Sequence, residues 1–292
     1  MATARQLYQD RFGLEPKFLG NDALSEPLTA MLRRRSHRAF RPEKLPDDLL
    51  EALLACSQSA PSKSDLQQFS IVLVDDADTR RVVMGPAPSD EWMRTAPHVA
   101  VFCADMRRGQ RIAVWHARPH NNDSLDTFLN ASVDAGLALG FLMAAAEASG
   151  VGCCPISLIR DRITDVTRVL ALPSGVYPVA GFCFGWPARE GEVSMRLPPS
   201  VVVHHEAYDD SRLEEDLAGY DQGAIDASPS PSTSSALSKS TASRRNILGP
   251  RMPGASFPWR SDRAFATFCS AAASRCASGA EFGQLILQRF KT

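Results

Sequence analysis

Residues 176–187 read VYPVAGFCFGWP. Its apolar and β-branched residues predict a buried strand at 176–186, which Pro187 closes. Gly181 and Gly185 within the strand indicate close approaches of other groups to the backbone. Three earlier apolar runs have the same character, at 69–74, 99–103 and 153–159. The chain therefore predicts a sheet built from four strands.

Helical patterns precede and separate the strands. Ser25-Glu26-Pro27 offers a capping hydroxyl, an early acid and an early proline, which together are typical of a helix start. A second helix is predicted at 47–57, with Asp47 and Asp48 near its positive end. We expect Asp161 to cap a further helix that reaches residue 170.

The segment 124–149 predicts one long helix that stops at Gly150. Its most apolar part, 131–148, approaches the length of a membrane span. Because that part contains Asp134 and Glu147 and consists largely of small residues, we expect a tightly packed central helix instead. The order of helices and strands lacks strict βαβ alternation and a GxGxxG turn, which disfavours a dinucleotide-binding sheet. The predicted class is α+β, with helices packed on a sheet.

Composition limits the functional classes. The chain has 292 residues, 44% of them hydrophobic, and a formal net charge of -1, which argues against a general nucleic-acid binder. The seven cysteines are odd in number and lack CxxC spacing, so reduced, buried thiols in a cytoplasm are expected. The vicinal Cys153-Cys154 has two readings, a redox pair or small residues that fill a buried strand, and we favour the second. Residues 2–20 show no basic start followed by an apolar core, so we do not expect secretion.

Two short segments carry the candidate chemistry. In Arg35-Ser36-His37-Arg38, two arginines spaced i and i+3 near a helix end can converge on one phosphate, and Ser36 adds a hydroxyl. In Ser62-Lys63-Ser64-Asp65-Leu66-Gln67, hydroxyl and amide groups suit a ribityl chain and a ring edge. Together they suit flavin mononucleotide (FMN). Cation runs such as 33–38 are also typical of solvated surfaces, and both readings stay open.

Residues from about 28 to 208 resemble the FMN-dependent nitroreductase superfamily, especially its branch of oxygen-insensitive nitroreductases and NADPH-flavin oxidoreductases. Four signatures occur in the family's order. They are Arg35-Ser36-His37-Arg38, Ser62-x-Ser64-x-Leu66-Gln67, Cys154-Pro155-Ile156-Ser157 and the stretch 179–187. The resemblance implies a mostly antiparallel sheet flanked by helices, and a homodimer with FMN at the subunit interface.

The resemblance also assigns residues to the cofactor. The phosphate and ribityl end would be held by the arginine cluster and by Arg196, and the backbone of 155–158 would lie beside the isoalloxazine ring. The full set is Arg34, Arg35, Ser36, His37, Arg38, Ser62, Ser64, Gln67, Pro155, Ile156, Ser157, Leu158 and Arg196. NADPH or NADH would be the co-substrate.

This chain departs from the branch in two places near the cofactor. Ser194-Met195-Arg196 stands where the branch usually has Lys-Pro-Arg, so one cation expected near the phosphate is absent. Pro155 stands where the branch tends to have a residue with a backbone N–H, which proline lacks. Both changes are expected to alter the surroundings of the flavin.

The implied reaction is hydride transfer from NAD(P)H to FMN, followed by transfer to a nitroaromatic, a quinone or free flavin by a ping-pong mechanism. No protein residue is predicted as a catalytic acid or base. No metal site is expected either, since the adjacent residues of His204-His205-Glu206 would point to opposite sides of a strand. The segment 107–123, with His116 and His120, is predicted to be irregular and to cover the substrate face of the flavin.

Two other functions stay open beside this FMN reductase. One is a specialised flavin enzyme of the same fold, for example in flavin fragmentation or dehalogenation. The other is a noncatalytic flavin-binding or partner-binding protein that uses a basic tail.

We divide the chain into an extension (1–24), an FMN-binding domain (25–221) and a divergent tail (222–292). Residues 229–246 contain seven serines, two prolines and no aromatic residue, and 229–260 is predicted to be largely disordered. Residues 229–292 hold nine Lys or Arg and only two Asp or Glu. We expect a cytoplasmic protein that binds neither nucleic acid nor membrane.

Overall fold

The computed structural model of the chain describes residues 2–121 and 124–226. These residues form two compact units, the first made of 2–35 and 191–226, the second of 36–121 and 124–190. The predicted disorder at 229–260 and most of the predicted tail lie outside the described residues. The three predicted domain boundaries stay predictions.

The second unit contains the sheet. Its four strands pair antiparallel in the order β1-β2-β4-β3. They are β1 (Phe69–Leu73), β2 (His98–Asp105), β3 (Gly152–Ile156) and β4 (Val176–Gly185). All four predicted strands are confirmed, although the third was predicted three residues too long. It ends at Ile156 because Ser157 adopts right-handed helical dihedral angles and starts the 3₁₀ helix Leu158–Arg162.

Ten α-helices lie in the described part of the chain. They are α1 (Ala4–Phe12), α2 (Glu26–Arg33), α3 (Asp47–Gln58), α4 (Ala77–Met84), α5 (Glu91–Arg94), α6 (Arg107–Trp115), α7 (Leu125–Ala148), α8 (Ile163–Val169), α9 (Pro199–Val202) and α10 (Leu213–Asp226). The antiparallel sheet with its helices confirms the predicted α+β class.

Strand β2 is buried at all eight of its residues and organises the core. Because side chains alternate along a strand, Ala100 and Phe102 enter one apolar cluster, which includes residues of α3 and α7. Val101 and Cys103 enter the other cluster, with residues of α4 and α8. Each fully buried large side chain, such as that of Phe102, contributes about 1.5–3 kcal/mol. The sheet is therefore covered on both faces.

Three residues of β4 show how the strand meets its neighbours. The pairing with β2 shifts register between Phe102 and Cys103, and Pro178 lies at this bulge, where a missing N–H is tolerated. A Cβ atom on Gly185 would lie 2.8 Å from Cγ of Pro97, and one on Gly181 would lie 3.1 Å from Cε of Met84. The predicted close approaches at both glycines are confirmed.

Helix α7 begins after Ser124, whose side chain accepts a hydrogen bond from the Thr127 N–H. By length and composition α7 is apolar enough to cross a membrane. One of its faces packs in the second unit through small residues such as Ala135 and Ala138, both fully buried, so the predicted tight packing holds for that face alone. Its opposite face is exposed.

Three local predictions need correction. The Ser25 side chain precedes α2 but makes no capping hydrogen bond. Asp161 does not cap α8, because it lies inside the 3₁₀ helix that precedes Ile163. Residues 107–115 are not irregular but form α6, in which the carboxylate of Asp105 accepts the Arg108 N–H at 3.0 Å in the first turn.

In the first unit, α1 was not predicted from the sequence. The Thr3 side chain caps its start, and Gly13, with a φ of 66°, ends it in the left-handed conformation. Two hydrogen bonds join α1 to the segment that follows it, from Ala4 N–H to the Asp22 carbonyl and from Arg5 N–H to the Gly20 carbonyl. Residues 1–24 therefore contain an ordered helix.

Candidate cofactor site

The arginine cluster lies after α2 and not on it. The helix ends at Arg33, and Arg34 has extended dihedral angles (φ -48°, ψ 133°). Arg35 and Arg38 therefore lie in the non-helical segment after α2, and their convergence on one phosphate stays a prediction. Arg34 and Arg35 are half-buried, and they are the last residues of the first of the two segments that make up the first unit.

A buried arginine from α1 holds the backbone around this cluster. The guanidinium of Arg11 donates to the carbonyls of Leu32 (2.7 and 3.2 Å), Arg34 (2.5 Å) and Ser194 (2.7 Å). Arg11 is only 5% exposed. Sequence reasoning missed it, because nothing in residues 1–24 distinguishes Arg11 from a surface cation.

Arg196 is hydrogen-bonded to Arg11 as well. Its backbone N–H donates to the Arg11 carbonyl at 2.8 Å, and its side chain is exposed. The methyl group of Met195 lies 2.8 Å from where a Cβ atom on Gly13 would be, so the segment also packs against the end of α1. Arg11 is thus hydrogen-bonded to two backbone segments of the first unit. Its guanidinium contacts the carbonyl of Arg34, and its own carbonyl accepts the Arg196 N–H.

In the second unit, His37 lies against the beginning of β3. Its N–H donates to the Cys153 carbonyl at 3.0 Å, and the Cys153 N–H donates to Nδ1 of His37 at 3.4 Å. A Cβ atom on Gly152 would lie 2.8 Å from Cγ of His37, so only glycine leaves room for the ring. Ser36 and His37 are half-buried and Arg38 is exposed.

The loop 62–67 has an unusual backbone. Ser64, Asp65 and Gln67 have φ values of 52°, 57° and 48°, in the left-handed region that residues other than glycine rarely adopt. Ser62 Oγ accepts the Gln67 N–H at 3.1 Å, and the side chains of Ser64 and Gln67 are exposed. Strained backbone of this kind persists where surrounding contacts hold it, and it is common at ligand-binding sites.

Two charged side chains hold this loop. The carboxylate of Asp134, on the buried face of α7 and 1% exposed, accepts the Lys63 N–H at 3.1 Å and the Gln68 N–H at 3.0 Å. Arg108 of α6 donates to the Gln67 carbonyl at 2.8 Å and to the Asp105 carboxylate at 3.1 Å. Neither was predicted as part of the site, although a lone acid within a stretch of Ala, Leu and Gly was a usable signal for Asp134.

The segment 155–158 lies at the end of β3, which is an edge strand of the sheet. Pro155 is tolerated there because an edge strand has one side without ladder partners. The side chain of Ile156 is buried in the core, whereas Pro155, Ser157 and Leu158 are exposed. Ile156 therefore offers a ligand only its backbone.

Helix α6 exposes a large aromatic side chain. Trp115 is 80% exposed, and its ring lies 5.0 Å from that of His116, measured between centroids. The predicted cover over the substrate face thus begins with a helix, and its role stays a prediction. His204, considered as a metal ligand from the sequence, packs its ring on Tyr208 at 4.5 Å and accepts the Asp209 N–H at 3.4 Å.

The thiols of the sheet are buried. Cys103, Cys153, Cys154 and Cys183 are buried, whereas Cys56 is exposed. Burial, together with the Asp105 charge, raises the pKa of Cys103 to about 12, and burial raises the pKa of Cys183 further. Thiols that stay protonated are poor nucleophiles.

The donors found in each unit fit FMN. Guanidinium groups, with their planar forks of N–H donors, match a phosphate monoester, and Arg34, Arg35 and Arg196 are all in the first unit. In the second unit the exposed hydroxyl and amide groups of Ser64 and Gln67 match a ribityl chain or a flavin ring edge.

Solved structures with this fold define the class of protein. Nitroreductase A from Vibrio parahaemolyticus is 28% identical, with a TM-score of 0.70 over 86% of this chain and 98% of that one. The NADPH:FMN oxidoreductase from Vibrio harveyi complexed with NAD⁺ is 26% identical, with a TM-score of 0.68 over 85% of this chain and 98% of that one. The chain is an oxidoreductase of the α+β class.

The chain belongs to the nitroreductase family, whose family model matches residues 31–186. An FMN reductase [NAD(P)H] from Bacillus subtilis is 31% identical over 203 residues, which are 68% of this chain and 81% of the relative. An oxygen-insensitive NADPH nitroreductase from Salmonella typhimurium is 32% identical over 204 residues, 68% of this chain and 83% of the relative. The predicted resemblance is confirmed.

Proposed function

We propose that this protein is an FMN-dependent oxidoreductase that takes hydride from NADPH or NADH and passes it to nitroaromatics, quinones or free flavin. The observation that carries the proposal lies within the first unit, where Arg11 holds the backbone at Arg34 and the backbone at Arg196. The names of the relatives support it, since they are FMN reductases and nitroreductases. When bound, FMN supplies the hydride chemistry.

The residues of the chain have binding and orienting roles in this proposal. Arg34, Arg35 and Arg196, with Ser36, His37 and Arg38, bind the phosphate end of the cofactor. Ser62, Ser64 and Gln67 hydrogen-bond its ribityl chain and ring edge, and the backbone of 155–158 lies beside the ring. No side chain is required to give or take the hydride.

A ping-pong order follows if nicotinamide and acceptor use the same face in turn. The oxidised nicotinamide then leaves before the electron-poor acceptor enters. Initial rates measured at several fixed acceptor concentrations are expected to give parallel double-reciprocal lines against NADPH.

The homodimer is supported by the exposed face of α7. An apolar row at i, i+4 spacing runs along it, formed by Leu125, Leu129, Val133, Leu137 and Phe141, each between 36% and 58% exposed. Beside this row a Cβ atom on Gly136 or Gly140 would have no neighbour within 4 Å. An exposed apolar stripe with room for close approach suits a second copy of the chain. We also propose a cytoplasmic location, which the burial of four of the five described cysteines suits.

The visible spectrum of the purified protein tests the function. We expect a yellow protein with flavin absorbance that bleaches on anaerobic addition of NADPH or NADH and recovers with a nitroarene or quinone. A colourless protein that does not take up added FMN would refute the proposal. Bound FMN that neither nicotinamide reduces would indicate the noncatalytic alternative, and rapid reduction without turnover of these acceptors would indicate a specialised enzyme.

A further inference from the structure

Arg11 joins two segments that are far apart in sequence. It contacts the carbonyls of Leu32 and Arg34 at the end of α2, and the carbonyl of Ser194. Its own carbonyl accepts the Arg196 N–H at 2.8 Å. One residue of α1 therefore sets the backbone positions of both segments that bear the proposed phosphate ligands of the first unit.

The guanidinium group of Arg11 suits this role better than the ammonium group of a lysine would. A guanidinium has five N–H donors in a fixed fork, so it can hold several carbonyls at once in one geometry. With 5% of its surface exposed, Arg11 has its donors directed to the protein backbone. Lysine has a single ammonium group on a flexible stem and does not reproduce such a fork.

We propose that Arg11 is a positioning residue for phosphate recognition, acting through Arg34 and Arg196. The inference rests on the proposed function, because it needs FMN as the ligand. Arg11 need not touch the cofactor: it fixes the register between the end of α2 and the segment 194–196. Loss of this register separates the phosphate ligands while leaving the groups that contact the ring unchanged.

The experiment compares FMN with riboflavin, which lacks the phosphate. Dissociation constants for both are measured by flavin fluorescence quenching on apoprotein of the wild type and of Arg11→Met, Arg11→Lys and Arg5→Ala. Arg5 is the matched control, because it lies on the same helix but its side chain is 42% exposed and paired with Glu15. Urea unfolding of each variant reports the fold separately.

The wild type is expected to bind FMN more tightly than riboflavin. Arg11→Met is expected to weaken FMN binding about 10- to 100-fold and riboflavin binding less than about 3-fold, because hydrogen bonds to a charged group are lost only at the phosphate end. Arg11→Lys should fall between Arg11→Met and the wild type, and Arg5→Ala should match the wild type.

Other outcomes separate the two proposals. An unchanged ratio of FMN to riboflavin affinity in Arg11→Met, or an equal loss for both ligands, would overturn the role of Arg11 and leave the proposed function standing. A wild type that binds neither flavin would overturn the proposed function itself. If Arg11→Met does not fold, the ratio in Arg11→Lys decides, and an unchanged ratio there contradicts the inference.

Discussion

At the residue scale, Asp134 shows how one buried carboxylate shapes a binding loop. Its two oxygens accept N–H groups on either side of the left-handed residues Ser64, Asp65 and Gln67. Backbone in this region is unfavourable for residues with a Cβ atom, so these contacts offset the strain. Asp134 thus links the core helix α7 to the loop that carries the proposed ribityl ligands.

Asp134→Asn tests this link. An amide can accept only one of the two hydrogen bonds and turns an NH₂ group toward the other donor, so we expect a loss of about 1–3 kcal/mol in the free energy of unfolding. Urea denaturation measures it. Asp126→Asn on the same helix is the control, since Asp126 is exposed, and we expect a change there below about 1 kcal/mol. Equal effects of the two substitutions would contradict the assigned role.

Some residues of the candidate site could be predicted from the sequence, and others could not. The clustering of cations at 33–38 indicated phosphate binding because several arginines were adjacent. Arg11 had no such signal, since its partners Arg34 and Ser194 lie 23 and 183 positions away. A long-range hydrogen bond depends on the path of the chain, which local composition does not report.

At the element scale, strands and the long helix were predictable and α6 was not. Strand β2 is fully buried and β4 mostly so, and all four strands read as short, mainly apolar runs, which is a strong local pattern. Helix α6 has no buried residue, and three of its nine residues are arginine, so no core contact marks it. In its first turn the Arg108 N–H donates a hydrogen bond to the carboxylate of Asp105, which lies in β2.

A hydrogen bond between the start of β2 and the residues before α3 predicts that the free energy of unfolding depends on pH. Nε2 of His98, at the start of β2, accepts the Leu45 N–H at 2.9 Å, just before α3. Burial, and then the Lys44 charge, lowers the pKa of His98 below its usual 6.5, while Asp75 and Asp47 oppose this and Arg80 adds to it. The neutral ring is therefore the form that the fold requires.

The sign follows from proton linkage. As the pH falls below 6.5 the unfolded chain binds a proton at His98 before the folded chain does, so the free energy of unfolding decreases as the pH falls through the folded pKa. We expect His98→Gln to abolish the contribution of His98 to this decrease in the free energy of unfolding. Urea unfolding between about pH 7.5 and pH 5.5 measures it. His116→Gln, at an exposed histidine, should keep the wild-type slope. A wild-type slope in His98→Gln would contradict the prediction.

At the scale of the whole molecule, the exposed face of α7 predicts the oligomeric state. Leu129, 58% exposed, lies within the apolar row, so Leu129→Glu is expected to turn a dimer into a monomer by burying an unpaired charge at the interface. Sedimentation velocity measures the change. Because Leu129 is exposed in a single chain, the stability of that chain should change by less than about 0.5 kcal/mol.

Val202→Glu is the control for this substitution, since Val202 is also apolar and is 62% exposed on α9. It is expected to leave the dimer intact. A monomeric wild type would refute the homodimer, and a dimeric Leu129→Glu protein would refute this face as its interface.

The class of the fold, the four strands, the long helix and the chemical type of the ligand could all be predicted from the amino-acid sequence. Each of these follows from residues close together in the chain, through side-chain periodicity or adjacent functional groups. Which groups hold the site became clear only from the folded structure. The side chains of Arg11, Asp134 and Arg108 contact backbone atoms at least 21 positions away, and Lys63 and Asp134 are 71 positions apart. Such pairings arise from topology, because the folded path brings distant carbonyl and N–H groups to a buried charge that must be satisfied.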